Sequence, residues 1–161
     1  MNLPLLFWAS NEVGNDSFRK IAVCHADMAM RHFIRPDGSV NHAIRFNLKT
    51  GALLAVDNYC GFDKDSYWAR GATWAVYGFA LAYGYTQDRK YLDAARKVVR
   101  KFIEQLDAEV VPLWDFRLPP GAEPVRDASA AAVSSSIWSC SAVMPVGLAP
   151  VLRSKHPPQH R

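Results

Sequence analysis

The chain has 161 residues, of which 50% are hydrophobic and 12% aromatic. This length allows one domain with a real core and is too short for two large ones, while the apolar content excludes a disordered chain. The formal charge of +4 comes from basic residues that do not alternate with aromatic ones, so no nucleic-acid-binding surface is indicated. Three cysteines without a C-x-x-C pair indicate neither a disulfide framework nor a zinc site.

No apolar run approaches the roughly 20 residues that a membrane-spanning helix needs. The first nine residues are largely apolar, but they lack the basic start and the cleavage site of a signal peptide. We therefore expect a soluble, cytoplasmic chain with no membrane partner.

The N-terminal third reads as two helices followed by a more extended segment. Residues 2–9 are typical of the end of a helix, and residues 17–33 have the apolar periodicity of a second one. Between them we predict a turn at 11–16, in which Gly14 supplies a positive φ. Residues 40–46 are predicted to form a short strand or an extended loop, and a short apolar run follows at 53–58.

The stretch from Asp63 to Tyr85 predicts a central helix. Asp65 or Ser66 is the expected N-cap, and Gly84 is the expected stop signal. Small and aromatic residues alternate through this helix, which predicts burial on most sides. Arg70 is the exception, because a buried guanidinium is costly unless it meets an anion.

A second, amphipathic helix is predicted to begin at Gln87 and Asp88. Its apolar side chains recur at helical spacing: Tyr91, Ala94, Ala95, Val98, Val99, Phe102, Ile103 and Leu106. The pair formed by an apolar helix and an amphipathic one repeats the pair at residues 2–33 with a constant offset. Repeated helical hairpins of this kind favour an (α/α) toroid. A last helix is predicted from Ala130, capped by Asp127 or Ser129.

Five motifs occur in an order that resembles one family of glycoside hydrolases. They are N-L-P-L-L-F-W-A-S from Asn2, I-R-P-D-G-S-V-N-H from Ile34, D-S-Y-W-A-R-G-A-T-W-A-V-Y-G-F-A from Asp65, P-L-W-D-F from Pro112 and R-D-A-S-A-A-A from Arg126. Over about residues 2–136 the chain resembles the unsaturated glucuronyl hydrolases, glycoside hydrolase family 88. The resemblance implies an all-α fold, here a partial (α/α)6 barrel built from helical hairpins and belonging to the C-terminal portion of the family's domain.

The resemblance also implies a reaction. In this family an aspartic acid protonates the 4,5-double bond of an unsaturated uronate and activates water, and the resulting hemiketal opens with loss of the glycosidic link. The implied function is therefore hydrolysis of unsaturated glucuronyl oligosaccharides, without a metal or an organic cofactor. The family's two catalytic aspartates precede N-L-P-L, so we expect both to lie upstream of Met1 and assign no catalytic residue within the chain.

Three residues match substrate-binding positions of the family. His42 matches its active-site histidine, and Arg70 and Trp74 match a pair that contacts the sugar. An arginine fork can grip a uronate carboxylate, and an indole face can stack on a sugar ring. The alternatives are an ordinary loop histidine, an arginine paired with Asp65 and a core tryptophan. Cys60 stands where the family has a glutamine, whose donors and acceptor a thiol cannot replace.

The carboxylates close to the motifs are predicted to have structural roles in caps, turns or ion pairs: Asp63, Asp65, Asp115 and Asp127. Residues 1–136 are predicted to form one incomplete (α/α) barrel domain. Residues 137–161 no longer resemble the family and contain four prolines, which predicts a poorly ordered tail.

Other functions stay open at this point. The chain is alternatively an unsaturated rhamnogalacturonyl hydrolase, a catalytically inactive fragment that binds acidic sugars at most weakly, or a helical-repeat module that binds protein. Because an incomplete barrel exposes apolar surface, self-association is also expected.

Overall fold

The computed structural model describes residues 2–109 and 111–138, and this part of the chain is mostly helical. Its elements are α1 (Leu3–Val13), α2 (Asp16–Phe33), β1 (Ala43–Phe46), β2 (Leu53–Asp57), α3 (Ala69–Thr86), α4 (Arg89–Gln105) and α5 (Ala128–Trp138). The antiparallel pair β1–β2 lies between the second and third helices. The predicted all-α class is therefore correct for the helices and has to be extended by one β-hairpin.

Two helical hairpins, α1–α2 and α3–α4, form the body of the described chain. In the first, Gly14 takes a left-handed φ of 63° and the Asn15 side chain then caps α2. In the second, Gln87 takes a φ of 57° and the Asp88 side chain caps α4. Each turn therefore combines a left-handed residue with a side-chain cap on the next helix. The two turns are separated by the offset that the sequence repeat predicts. The first turn is shorter than predicted, because α1 continues through Val13.

The core lies between α3 and the other helices. α3 packs against α1, α2, α4 and α5, which confirms its predicted central position. The predicted apolar face of α4 is correct, since the side chains named for it are all buried and Leu92 joins them. Burying such a face is the main source of stability for a helix in a small domain, because helix propensity alone contributes little.

The start of α3 differs from its prediction. The helix begins at Ala69, directly after Trp68, and neither Asp65 nor Ser66 caps it. The Ala69 amide donates to the carbonyl of Trp114 at 2.9 Å, so the residues before the helix are held extended by another part of the chain. An extended backbone at these positions excludes the earlier helical start that the cap residues suggested.

Two further helix ends also depart from expectation. α3 passes the predicted stop at Gly84 and ends two residues later. α5 begins two residues before Ala130. Its cap is Asp127, as predicted, and this carboxylate accepts the Ala130 amide at 3.0 Å.

Several large apolar side chains on the first hairpin remain open to solvent. Leu5, Trp8 and Ile21 are 63%, 54% and 56% exposed. Among the described helices, none combines the length and the apolar character needed to cross a bilayer. The predicted tail at residues 137–161 lies outside the described residues from position 139 onward.

Candidate functional site

The β-hairpin fixes the position of His42, which directly precedes β1. The His42 amide donates to Asn58 Oδ1 at 2.7 Å, and Asn58 follows the last residue of β2. The side-chain amide of Asn58 donates in turn to the carbonyl of Lys64, in the loop that leads to α3. The two ends of the hairpin thus hold the histidine close to the start of the central helix.

Trp68 brings the three predicted substrate-binding residues together. Its ring centroid lies 4.7 Å from that of His42 and 5.1 Å from that of Trp74, both edge-on. The guanidinium carbon of Arg70 lies 5.5 Å from the same ring. Trp68 itself is only 7% exposed. Residues from a loop and from two turns of α3 therefore converge on one buried indole.

Gly71 makes this arrangement possible. A β-carbon at this position would lie 2.9 Å from Cε3 of Trp68, a distance that side chains do not tolerate. Glycine is unfavourable inside a helix, so its presence in the first turn of α3 has to be offset by another interaction. The close approach of the Trp68 ring explains why residue 71 is a glycine. In the sequence, the signal for this contact is a glycine inside a predicted helix, directly after Arg70.

Arg70 is held by an acidic residue from the far end of the chain. Its Nε and Nη2 both lie close to Oδ2 of Asp127, at 3.1 and 3.0 Å. The Asp127 side chain is 4% exposed, whereas that of Arg70 is 40% exposed. The structural alternative of a pair with Asp65 is wrong, because the partner is Asp127. Within the described residues, Nη1 of Arg70 has no hydrogen-bond partner.

A fully buried carboxylate, Asp115, connects the loops around this site. Its oxygens accept the backbone amides of Phe62, Tyr67 and Arg117 at 3.0, 3.1 and 2.9 Å. Asp115 also pairs across a β-bridge with Trp68. The structural role predicted for Asp115 is confirmed: it holds the P-L-W-D-F segment against the residues that precede α3.

His42 and Trp74 both line a cleft between α1, α2 and α3, with a volume of about 560 Å³. Most of its lining is apolar, contributed by leucines of α1 and by small and aromatic residues of α3. This volume is within the usual range for small-molecule sites. Arg70 is not part of the lining, and Cys60 is exposed on the loop after β2. His42 and Trp74 therefore line the same cleft and Arg70 does not, whereas all three predicted residues lie close to the Trp68 ring.

Comparison with known proteins shows which enzymes the chain is similar to. No family model matches the chain. An unsaturated glucuronyl hydrolase of Formosa agariphila is 42% identical over 138 residues, which cover 84% of this chain and 34% of that protein. The chain is a homologue of the unsaturated glucuronyl hydrolases. The relation that the five motifs predict is therefore confirmed, and the chain spans about a third of the length of the curated relatives it matches.

Solved unsaturated glucuronyl hydrolases share the fold. The enzyme from Bacillus sp. GL1, described as responsible for the degradation of glycosaminoglycan, has a TM-score of 0.84 at 30% identity, covering 96% of this chain and 42% of that one. A mutant from Streptococcus agalactiae, complexed with dGlcA-GalNAc6S, has a TM-score of 0.76 at 27% identity, covering 96% of this chain and 41% of that one.

In this homologue of the unsaturated glucuronyl hydrolases, His42 is poised to remain neutral. Burial lowers the pKa of its imidazole below the ordinary value near 6.5. Its Nδ1 is buried and has no hydrogen-bond partner among the described residues. A neutral imidazole at this place offers a hydrogen bond to a ligand without adding charge to the cleft.

This lowered pKa gives a first testable prediction. Between the folded pKa and 6.5 the unfolded chain binds more protons at this position than the folded one, so His42 makes stability rise with pH in that window and fall on acidification. The measurement is urea unfolding across the acidic range for wild type and His42→Phe, which keeps a ring but cannot titrate. We expect the slope of the wild type to be steeper, and identical slopes would contradict the assignment.

Proposed function

We propose that this chain is the substrate-holding portion of an unsaturated glucuronyl hydrolase, built as part of an (α/α)6 barrel. In this arrangement α1 and α3 are inner helices, and α2 and α4 are the outer partners of their hairpins. The observation that carries the proposal is the convergence of His42, Arg70 and Trp74 on the Trp68 ring, in a homologue of enzymes of that name.

Each residue has a role that follows from its surroundings. Arg70 receives the uronate carboxylate at the edge of its guanidinium that Asp127 leaves open. Trp74, half-buried and lining the cleft, stacks against the sugar ring. His42 lines the same cleft, and its neutral imidazole hydrogen-bonds the sugar. Together these contacts orient an unsaturated glucuronyl unit with its carboxylate towards the start of α3.

The proposed reaction is hydration of the 4,5-double bond followed by loss of the glycosidic link. Protonating that bond needs a carboxylic acid that is free of strong partners. Asp115 is committed to three amides and Asp127 to Arg70, so neither is available. As the family resemblance implies, we propose that the acid comes from a position that precedes the N-L-P-L segment.

The test is calorimetric titration of the chain with an unsaturated chondroitin disaccharide. We expect saturable binding that Trp74→Ala weakens by about tenfold or more, since truncating an aromatic contact at a binding site commonly costs over 1 kcal/mol. Trp8→Ala is the matched control, because this tryptophan is 54% exposed and lies outside the cleft lining. Absence of saturable binding, or equal effects of both variants, would contradict the proposal.

The same titration separates the other readings. A protein-binding helical module binds no sugar, whereas an inactive sugar-binding fragment binds the disaccharide as the proposed substrate-holding portion does. An unsaturated rhamnogalacturonyl hydrolase prefers the rhamnose-linked disaccharide, and the Arg70-Gly71 pair favours the glucuronyl reading. Self-association through the exposed surface of α1 and α2 and a cytoplasmic location are further proposals, which sedimentation velocity and cell fractionation test.

A further inference from the structure

A second hollow of about 350 Å³ lies on the loops that precede α3 and α5, and the proposed function does not use it. It is lined by Phe62, Trp114, Leu118, Ala122, Glu123 and Val125. Phe62 and Val125 are 50% and 48% exposed, so large apolar side chains remain open to solvent around this hollow. We refer to it as the loop hollow.

The backbone around the loop hollow is fixed before any ligand arrives. The Phe62 amide donates to the buried Asp115 carboxylate at 3.0 Å. The Trp114 amide donates to the Val125 carbonyl at 2.9 Å, and the Trp114 carbonyl accepts the Ala69 amide at 2.9 Å. Trp114 is therefore anchored to the start of α3 and Phe62 to Asp115, so binding there costs little ordering of the chain.

The loop hollow lies within reach of the proposed sugar site. The Tyr59 ring is 6.0 Å from that of His42, and Tyr59 is 71% exposed. Phe62 follows Tyr59 by three residues, which span at most about 11 Å even when fully extended. An oligosaccharide whose first unit contacts His42 and whose second unit passes Tyr59 is therefore long enough to reach Phe62 with its third unit.

The chemistry of the loop hollow indicates what it would hold. Aromatic faces such as those of Phe62 and Trp114 pack against the apolar faces of sugar rings. Among the described residues that line the hollow, Glu123 carries the single charge. A carboxylate accepts hydrogen bonds from sugar hydroxyls, and it repels sulfate or uronate groups.

We propose that the loop hollow is a subsite for a neutral sugar at the third position of the oligosaccharide. This proposal rests on the proposed function, because the first two units have to occupy the cleft beside His42 and Trp74. It goes further in assigning Phe62, Trp114 and Glu123 to substrate length and charge selectivity.

The test compares an unsaturated disaccharide with a tetrasaccharide that extends the same disaccharide by two neutral sugars. We expect the wild-type chain to bind the tetrasaccharide about tenfold more tightly, the size of effect that one well-placed aromatic contact contributes. Phe62→Ala should remove this gain and leave disaccharide affinity unchanged. Leu48→Ala, at a fully exposed position in the β1–β2 turn, is the control and should change neither.

A second variant tests the charge selectivity without touching the aromatic residues. A tetrasaccharide sulfated on its third unit should bind the wild type several-fold more weakly than the neutral one, and Glu123→Gln should close this gap. Glu123 is exposed on its loop, so the substitution leaves the fold intact. A gap that persists in Glu123→Gln would overturn the assigned selectivity.

The remaining outcomes are distinct from one another. Equal wild-type affinities for disaccharide and tetrasaccharide, or equal losses for both in Phe62→Ala, would overturn the third-unit subsite while leaving the proposed function standing. Failure to bind either sugar would overturn the proposed function and the subsite with it.

Discussion

Asp115→Ala is expected to lower the free energy of unfolding by about 3–5 kcal/mol, the range for removing one partner of a buried charged interaction. The wild-type carboxylate is fully buried and accepts three backbone amides, from Phe62, Tyr67 and Arg117. In the variant the three amides lose their acceptor. An amide that stays buried cannot bind water in its place. The loop before α3 then separates from the P-L-W-D-F segment, and Trp68 loses its bridge.

Urea unfolding of three variants isolates this effect. Asp63→Ala is the matched control, because Asp63 is exposed and its Oδ1 accepts the Asp65 amide at 2.7 Å, a local contact within one turn. We expect this variant to lose under about 1 kcal/mol, as is usual for exposed turn positions. Asp115→Asn, which keeps one acceptor oxygen, should fall between the two. An Asp115→Ala chain no less stable than the Asp63→Ala control would show that the buried carboxylate does not hold the loops.

The features that sequence predicted well depend on neighbours along the chain. The apolar face of α4 follows from helical spacing. The start of α4, predicted at Gln87 and Asp88, lies at Arg89, directly after the Asp88 side chain that caps it, and both features depend on adjacent residues alone. The repeated hairpins were visible for the same reason, since each one is a local unit. Gly14 likewise predicts the left-handed backbone that is found at the first turn.

The features that sequence missed depend on distant segments. Arg70 pairs with Asp127, 57 residues away, and nothing local distinguishes that partner from the nearby Asp65. The start of α3 moved to Ala69 because Trp114 pairs with the backbone there. Trp68 joins the site only because the β-hairpin carries His42 to it. Motif order indicated that these segments belong to one site, but it did not state which atoms meet.

Arg70→Lys is expected to weaken binding of an unsaturated disaccharide by tenfold or more, about 1.4 kcal/mol or greater. Arg70 meets Asp127 with Nε and Nη2, and Nη1 has no partner among the described residues, so one guanidinium can serve the Asp127 carboxylate and the proposed uronate at once. A lysine ammonium retains the charge opposite Asp127 but has no planar fork to present a second edge to the sugar. Calorimetric titration measures the loss, and urea unfolding shows that Asp127 remains paired.

Asp127→Asn distinguishes a sugar-binding arginine from a purely structural one. The asparagine keeps an acceptor oxygen for the Ala130 amide and removes the negative charge beside Arg70. If Arg70 binds the uronate, this variant should bind the disaccharide at least as tightly as wild type, because the guanidinium no longer shares its charge with a protein carboxylate. If the ion pair serves only the fold, Arg70→Lys and Asp127→Asn should alter stability alike and leave the affinity unchanged. A loss of affinity in Arg70→Lys that Asp127→Asn does not share is therefore the result that assigns Arg70 to the substrate.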